Sequence, residues 1–156
     1  MSGNTQLRGT GLVIFFGLCA MSQDLRWAWQ HSPYDQGGWV LALLWLGIGL
    51  SGARKFSTVP PVRLLLLGVA AGFVSFVGEL NVARHLALVL VVAAWMPNWN
   101  ARLVFGLVGV CWWPALGWAA AKFTGPTGVL VGRSLVLILG TVVLWRSLTR
   151  APKGAA

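Results

Sequence analysis

Acidic residues are almost missing from this chain. There are three among 156 residues, Asp24, Asp35 and Glu79, against twelve Lys and Arg. Charged residues of both signs make up only 10%, too few to cover a water-soluble domain of ordinary composition. Cysteine is scarce as well. Cys19 and Cys111 stand alone inside apolar runs, with no CxxC pair and no Cys/His spacing suited to a metal. That pattern excludes a disulfide scaffold and a zinc module, and the two thiols read as small core hydrophobes. Strict alternation of apolar and polar residues is also lacking, which disfavours a transmembrane β-barrel. There is no internal repeat and no low-complexity segment.

What is present is apolar, at 57% of the chain. Six apolar segments run at about 10–23, 38–52, 62–78, 82–96, 101–123 and 127–145. Such runs suit a hydrocarbon core roughly 30 Å thick. The predicted fold is all-α, a polytopic membrane helical bundle of about six transmembrane helices, with 1–156 as a single integral membrane domain. The first two segments are short for a span. A count of four or five stays open, with the first segment lying in the interface. The N-terminal stretch has one Arg and an apolar run, like a signal peptide. Without a clear A-x-A site it reads as a retained first helix.

The cations give an orientation. With both termini inside, Arg8, Arg54, Lys55, Arg63, Arg102, Arg146, Arg150 and Lys153 lie on the cytoplasmic side. Arg26, Arg84, Lys122 and Arg133 fall on or near the outer side, with all three acids. This bias predicts N-in/C-in. It also explains a formal charge of +9 without nucleic acid, for which there is no basic domain. The predicted partners are the lipid bilayer and a membrane protein or a second copy of the chain. No cofactor and no metal is predicted.

Between the third and fourth segments sits a polar knot, Glu79, Asn81, Arg84 and His85. Its place between two apolar runs makes it an outward-facing turn and a candidate polar site. Arg133 stands five or six residues into the last segment, where a guanidinium needs a partner or must snorkel. Glu79 is its predicted partner, giving an outer cluster of Glu79, Arg84, His85 and Arg133. Gly68 and Gly72, and likewise Gly128 and Gly132, form GxxxG faces suited to helix contact. The connection from Ser22 to Gly37 carries Trp27, Trp29, His31, Tyr34 and Asp35 and reads as an interfacial loop. His31 and Asp35 would share a face if that loop were helical, but two ligands do not make a metal site. Trp112 and Trp113 beside Pro114 predict packing against a kink.

The run Asn81-Val82-Ala83-Arg84-His85-Leu86-Ala87-Leu88-Val89-Leu90 resembles part of the exosortase and archaeosortase family. Ala101-Arg102-Leu103-Val104-Phe105 with Trp113-Pro114 is similar to the next family helix. Ser32-Pro33-Tyr34-Asp35-Gln36-Gly37, an apolar run and then Arg54-Lys55 are similar to the family's tyrosine–glycine loop, helix and basic turn. The resemblance covers about 27–118 and concerns the family's non-catalytic N-terminal half. It implies a membrane-embedded helical protein concerned with sorting proteins at the outer membrane face of a bacterial inner membrane. The family's catalytic set is a Cys in an Ala-Cys-Ser-Gly-like motif, then an Arg, then a His. This chain has no Cys-Ser-Gly, and Arg84 and His85 precede Cys111. No catalytic residue is carried over.

Cys111 is a weak nucleophile candidate. It lies about ten residues, roughly 15 Å, into its segment, whereas His85 is near the outer face, so the two are expected to be too far apart to share a proton. The first expectation is therefore an exosortase-like accessory or scaffold subunit of a membrane assembly. The alternatives are a divergent membrane cysteine transpeptidase or peptidase, and a small transporter.

Overall fold

The computed structural model describes the backbone of residues 3–56 and 60–149, and side chains over 9–51 and 60–148. These residues form eight α-helices and one 3₁₀ turn, with no strand among them. The helices are α1 Gly3–Met21, α2 Gln23–His31, α3 Gly38–Phe56, α4 Val62–Gly78, α5 Asn81–Ala93, α6 Trp99–Gly109, α7 Pro114–Ala121 and α8 Pro126–Thr149. The 3₁₀ turn, Val110–Trp112, links α6 to α7. Five of the six apolar segments correspond to α1, α3, α4, α5 and α8. The fifth, expected as one helix over 101–123, is broken in the middle.

The break follows from Pro114. Its ring pushes the preceding residue into extended backbone, and Trp113 is extended at φ −70°, ψ 129°. Pro114 then occupies the first turn of α7, where its missing N–H costs nothing. The two parts meet at 62°. The predicted turn after Met96 is also explained. Asn98 caps α6 by accepting a hydrogen bond from the Ala101 N–H at 2.7 Å.

α4 and α5 form an antiparallel hairpin. Gly68 brings them close, since a Cβ there would lie 2.7 Å from Val91 Cγ2, while a Cβ on Gly72 would lie 2.9 Å from Leu18 Cδ2 on α1. The first GxxxG face is thus a real helix contact. The second is not, among the described residues. A Cβ on Gly132 would meet nothing within 4 Å, and Gly128 faces only Thr124.

The core centres on Trp45 of α3, which is 2% exposed. Its ring stacks on Phe105 at 4.6 Å, and its indole N–H donates to the Phe105 carbonyl at 3.0 Å. Gly109 lies under that ring, 3.0 Å from it if given a Cβ. Gly140 of α8 packs on Val108 of α6. Outside this core the surface is oily: Phe16, Leu43, Phe73, Phe76, Leu107 and Leu139 are all well exposed.

By length and composition one described helix, Pro126–Leu148, is long and apolar enough to cross a membrane, with a mean hydropathy of 2.0. The bent pair Trp99–Trp112 and Pro114–Ala121 would be a second. Four further apolar helices have 10–17 described residues.

Candidate functional site

Helix direction gathers the polar side chains. Met21 ends α1, Ser75 and Glu79 end α4, and α5 begins at Asn81, all around one turn. α2 lies across this end, with Leu25 and Ala28 turned inward and Arg26, Trp27 and Gln30 outward. Its first-turn residue Asp24 sits where the positive end of the helix favours a carboxylate.

Asp24 is the centre of one cluster. Its Oδ1 accepts from Arg84 Nη1 at 3.2 Å, and its Oδ2 accepts from His85 Nε2–H at 2.9 Å. Arg84 also donates from Nε to Ser75 Oγ at 3.2 Å and from Nη1 to the Met21 carbonyl at 2.5 Å. Burial on its own would raise the Asp24 pKa. The His85 hydrogen bond and the charges of His85 and Arg84 outweigh that, and hold it below the ordinary 3.8. The other ring nitrogen of His85 is Nδ1. That atom is buried and has no hydrogen-bond partner among the described residues. Asp24 also lines an open groove with Gln23, Arg26, Trp27 and Gln30. It therefore connects the buried histidine to the outside.

Asp35 makes the second cluster. It accepts from Arg133 Nη2 at 2.5 Å, and both side chains are almost fully buried. The same guanidinium donates to the Trp113 carbonyl at 2.8 Å and to the Tyr34 carbonyl at 3.3 Å. Gly117 makes this possible. A Cβ there would collide with Arg133 and stand 2.5 Å from Asp35 Oδ1.

Trp113 joins the clusters. Its carbonyl serves Arg133, while its ring lies 6.1 Å from His85. Trp112 lies 5.7 Å from the same imidazole. Asp24, Arg84, His85, Trp113, Arg133 and Asp35 thus form one continuous layer at one end of the bundle.

No protein-family model, curated protein or solved structure matches this chain. The site is therefore read from its own geometry.

Several predicted placements change. Arg84, His85 and Arg133 do share a polar region, but Glu79 is not in it. Glu79 is exposed and holds the left-handed C-cap of α4 at φ 52°. Arg133 pairs with Asp35 instead. The stretch read as an interfacial loop contains a helix. That helix stops at His31, so His31 and Asp35 do not share a face. His31 stacks on the exposed Trp27 at 5.1 Å. Trp29 packs inward against Gly38, and Tyr34 contributes its carbonyl. Cys111 lies two residues before Trp113, closer to the layer than counting residues along a straight helix suggests. Among the described residues no hydrogen bond joins its thiol to His85 or Arg84. Sequence reading missed Asp24, Ser75 and Gly117. The signal available for Asp24 was the Leu25/Ala28 spacing of a short amphipathic helix.

Chemically, the layer offers two arginines already neutralised by carboxylates and one imidazole positioned by an aspartate. Such a group can form a hydrogen bond at Nδ1. No three of His, Cys, Asp or Glu converge among the described residues.

Proposed function

We propose that this chain is a small multi-pass protein of a bacterial inner membrane, exosortase-like in its helices, which serves as an accessory or scaffold subunit of a membrane assembly. The observation that carries this reading is the outward face of α8. Only 22% of its most apolar window is buried within the chain, and Gly128 and Gly132 leave a smooth face that no other helix uses among the described residues. Lipid and the helix of a partner are the surroundings that suit such a face. Six spans with both termini inside remain the arrangement we favour. α4, with 17 residues, is about 26 Å long, and α5 is shorter, so local thinning of the bilayer is part of the proposal.

Two measurements test it. The chain should stay in the membrane fraction after alkaline carbonate. In a Cys19→Ser background, Ile138→Cys on the exposed side of α8 should cross-link in native membranes to one partner in stoichiometric yield, whereas Leu137→Cys on the buried side should not. A lone, uncross-linked monomer would sink the subunit reading.

One observation favours a second reading, a divergent membrane cysteine transpeptidase. Asp24 orients His85, and the ring of Trp112, next to Cys111 in the chain, packs on that histidine. Processing of a tailed exosortase substrate on co-expression, lost in Cys111→Ala, would decide for the enzyme.

A further inference from the structure

We propose that the groove along the outward face of α2 binds a neutral sugar, presented as the headgroup of a glycolipid. The choice of a lipid rests on the membrane reading above, to which the groove adds a ligand.

Helix period gathers the groove's side chains. Leu25 and Ala28 are buried and fix which side of α2 faces the bundle. Gln23, Arg26, Trp27 and Gln30 recur at steps of three and four residues on the opposite side, and all four are exposed. With Asp24 beside them they line an open groove of about 570 Å³, within the range of small-molecule sites.

The lining mixes both halves of hydrogen bonding. Ionised Asp24 only accepts, Arg26 only donates, and Gln23 and Gln30 do both. The side chains of Gln23, Arg26 and Gln30 have no hydrogen-bond partner among the described residues. Asp24 is held from behind, one oxygen by Arg84 and the other by His85. It is still 20% exposed, and a carboxylate oxygen can accept more than one bond. A carboxylate or phosphodiester ligand has no donor for Asp24, and an ammonium group has no acceptor for Arg26. A hydroxyl donates and accepts, so neighbouring hydroxyls serve both residues at once. Trp27 adds an apolar platform. Its residue is 64% exposed, and His31, which stacks on one face, does not line the groove. The indole is thus open on the groove side to the C–H face of a sugar ring.

The place of the groove argues for a lipid. α2 joins the end of α1 to the turn before α3, and both of those helices are apolar. Trp39, in the first turn of α3, is exposed at the same end, as an indole is at a bilayer interface. In a membrane the groove therefore opens at the level of the headgroups.

The test uses the full chain in a polyoxyethylene detergent, which carries no sugar, after its retention in carbonate-washed membranes has been checked. Native mass spectrometry follows the binding of diglucosyl diacylglycerol, phosphatidylglycerol and plain diacylglycerol. The glucosyl lipid should bind about tenfold more tightly than either of the others. Trp27→Ala and Arg26→Ala should each lose most of that preference without lowering the unfolding temperature, since both side chains are exposed. Trp118→Ala and Lys122→Ala, an indole and a cation outside the groove, should keep it. Equal binding of the three lipids, tighter binding of phosphatidylglycerol, or a full preference in the α2 variants would overturn the proposal. So would free maltose competing on equal terms with the glucosyl lipid. Release by carbonate would instead overturn the membrane reading itself.

Discussion

Arg133 and Asp35 are 98 residues apart in sequence and meet at 2.5 Å, with 4% and 6% of their side chains exposed. The pair ties the turn before α3 to the third turn of α8. Removing one member leaves the other buried and uncompensated, which costs far more than an exposed pair contributes.

Asp35→Asn and Arg133→Gln should each destabilise the chain by about 3–5 kcal/mol. The double variant should cost clearly less than their sum, because the two changes remove one interaction. Denaturation in detergent measures this. Strictly additive losses would mean that the pair is not coupled.

Gly117→Ala tests the space that the pair occupies. A methyl group there meets both charged side chains, so a loss of about 1–3 kcal/mol is expected. Gly132→Ala is the control. Its methyl group meets nothing, and helix propensity should stabilise by up to about 1 kcal/mol.

Glu79 is the described non-glycine residue with positive φ. A left-handed L-residue costs roughly 1–2 kcal/mol, and glycine loses about 0.5–1 kcal/mol more backbone entropy on folding. Glu79→Gly should therefore stabilise by about 0.5–1 kcal/mol. Glu79→Gln combined with Arg133→Gln should show no coupling. A coupling energy would restore the pairing predicted from sequence.

The pH response of Asp24 has a definite sign. Its pKa lies below the ordinary 3.8 in the fold, so its stabilisation is complete above that value and is lost as pH falls through the lower, folded one. α2, which carries it, is too short to be a span. On acidification below pH 3.8, the native chain should lose stability more steeply than Asp24→Asn. Parallel curves would contradict the Asp24–His85–Arg84 geometry.

Much of the helical layout was legible because the apolar runs are long and their ends carry strong signals. Pro114 announced the bend, the stretch around Asn98 the turn before α6, and Gly68 with Gly72 a helix contact. Arg133 also announced its need of a partner. Which acid would answer was not legible. Glu79 was the plausible choice in a chain laid out as straight rods. Asp35 wins because α7 folds aside at Trp113 and Gly117 leaves room, and neither effect can be read from spacing alone. Asp24 was hidden for a related reason: α2 has only nine residues, and its polar composition hid its helical period.

The scarcity of acids has one more consequence. Three arginine contacts in the layer end on main-chain oxygens, those of Met21, Tyr34 and Trp113. Each oxygen is available because the chain leaves regular helix at or near that point. The Trp113 carbonyl also accepts from the Leu116 N–H at 3.2 Å, so it serves the start of α7 and Arg133 together. On the acceptor side, half of the arginine contacts in this layer are therefore invisible to alanine scanning, since no side-chain replacement deletes a carbonyl. From that side the contacts are lost only by changing the path of the backbone, which makes Pro114 and Gly117 the places where substitution reaches the Trp113 carbonyl.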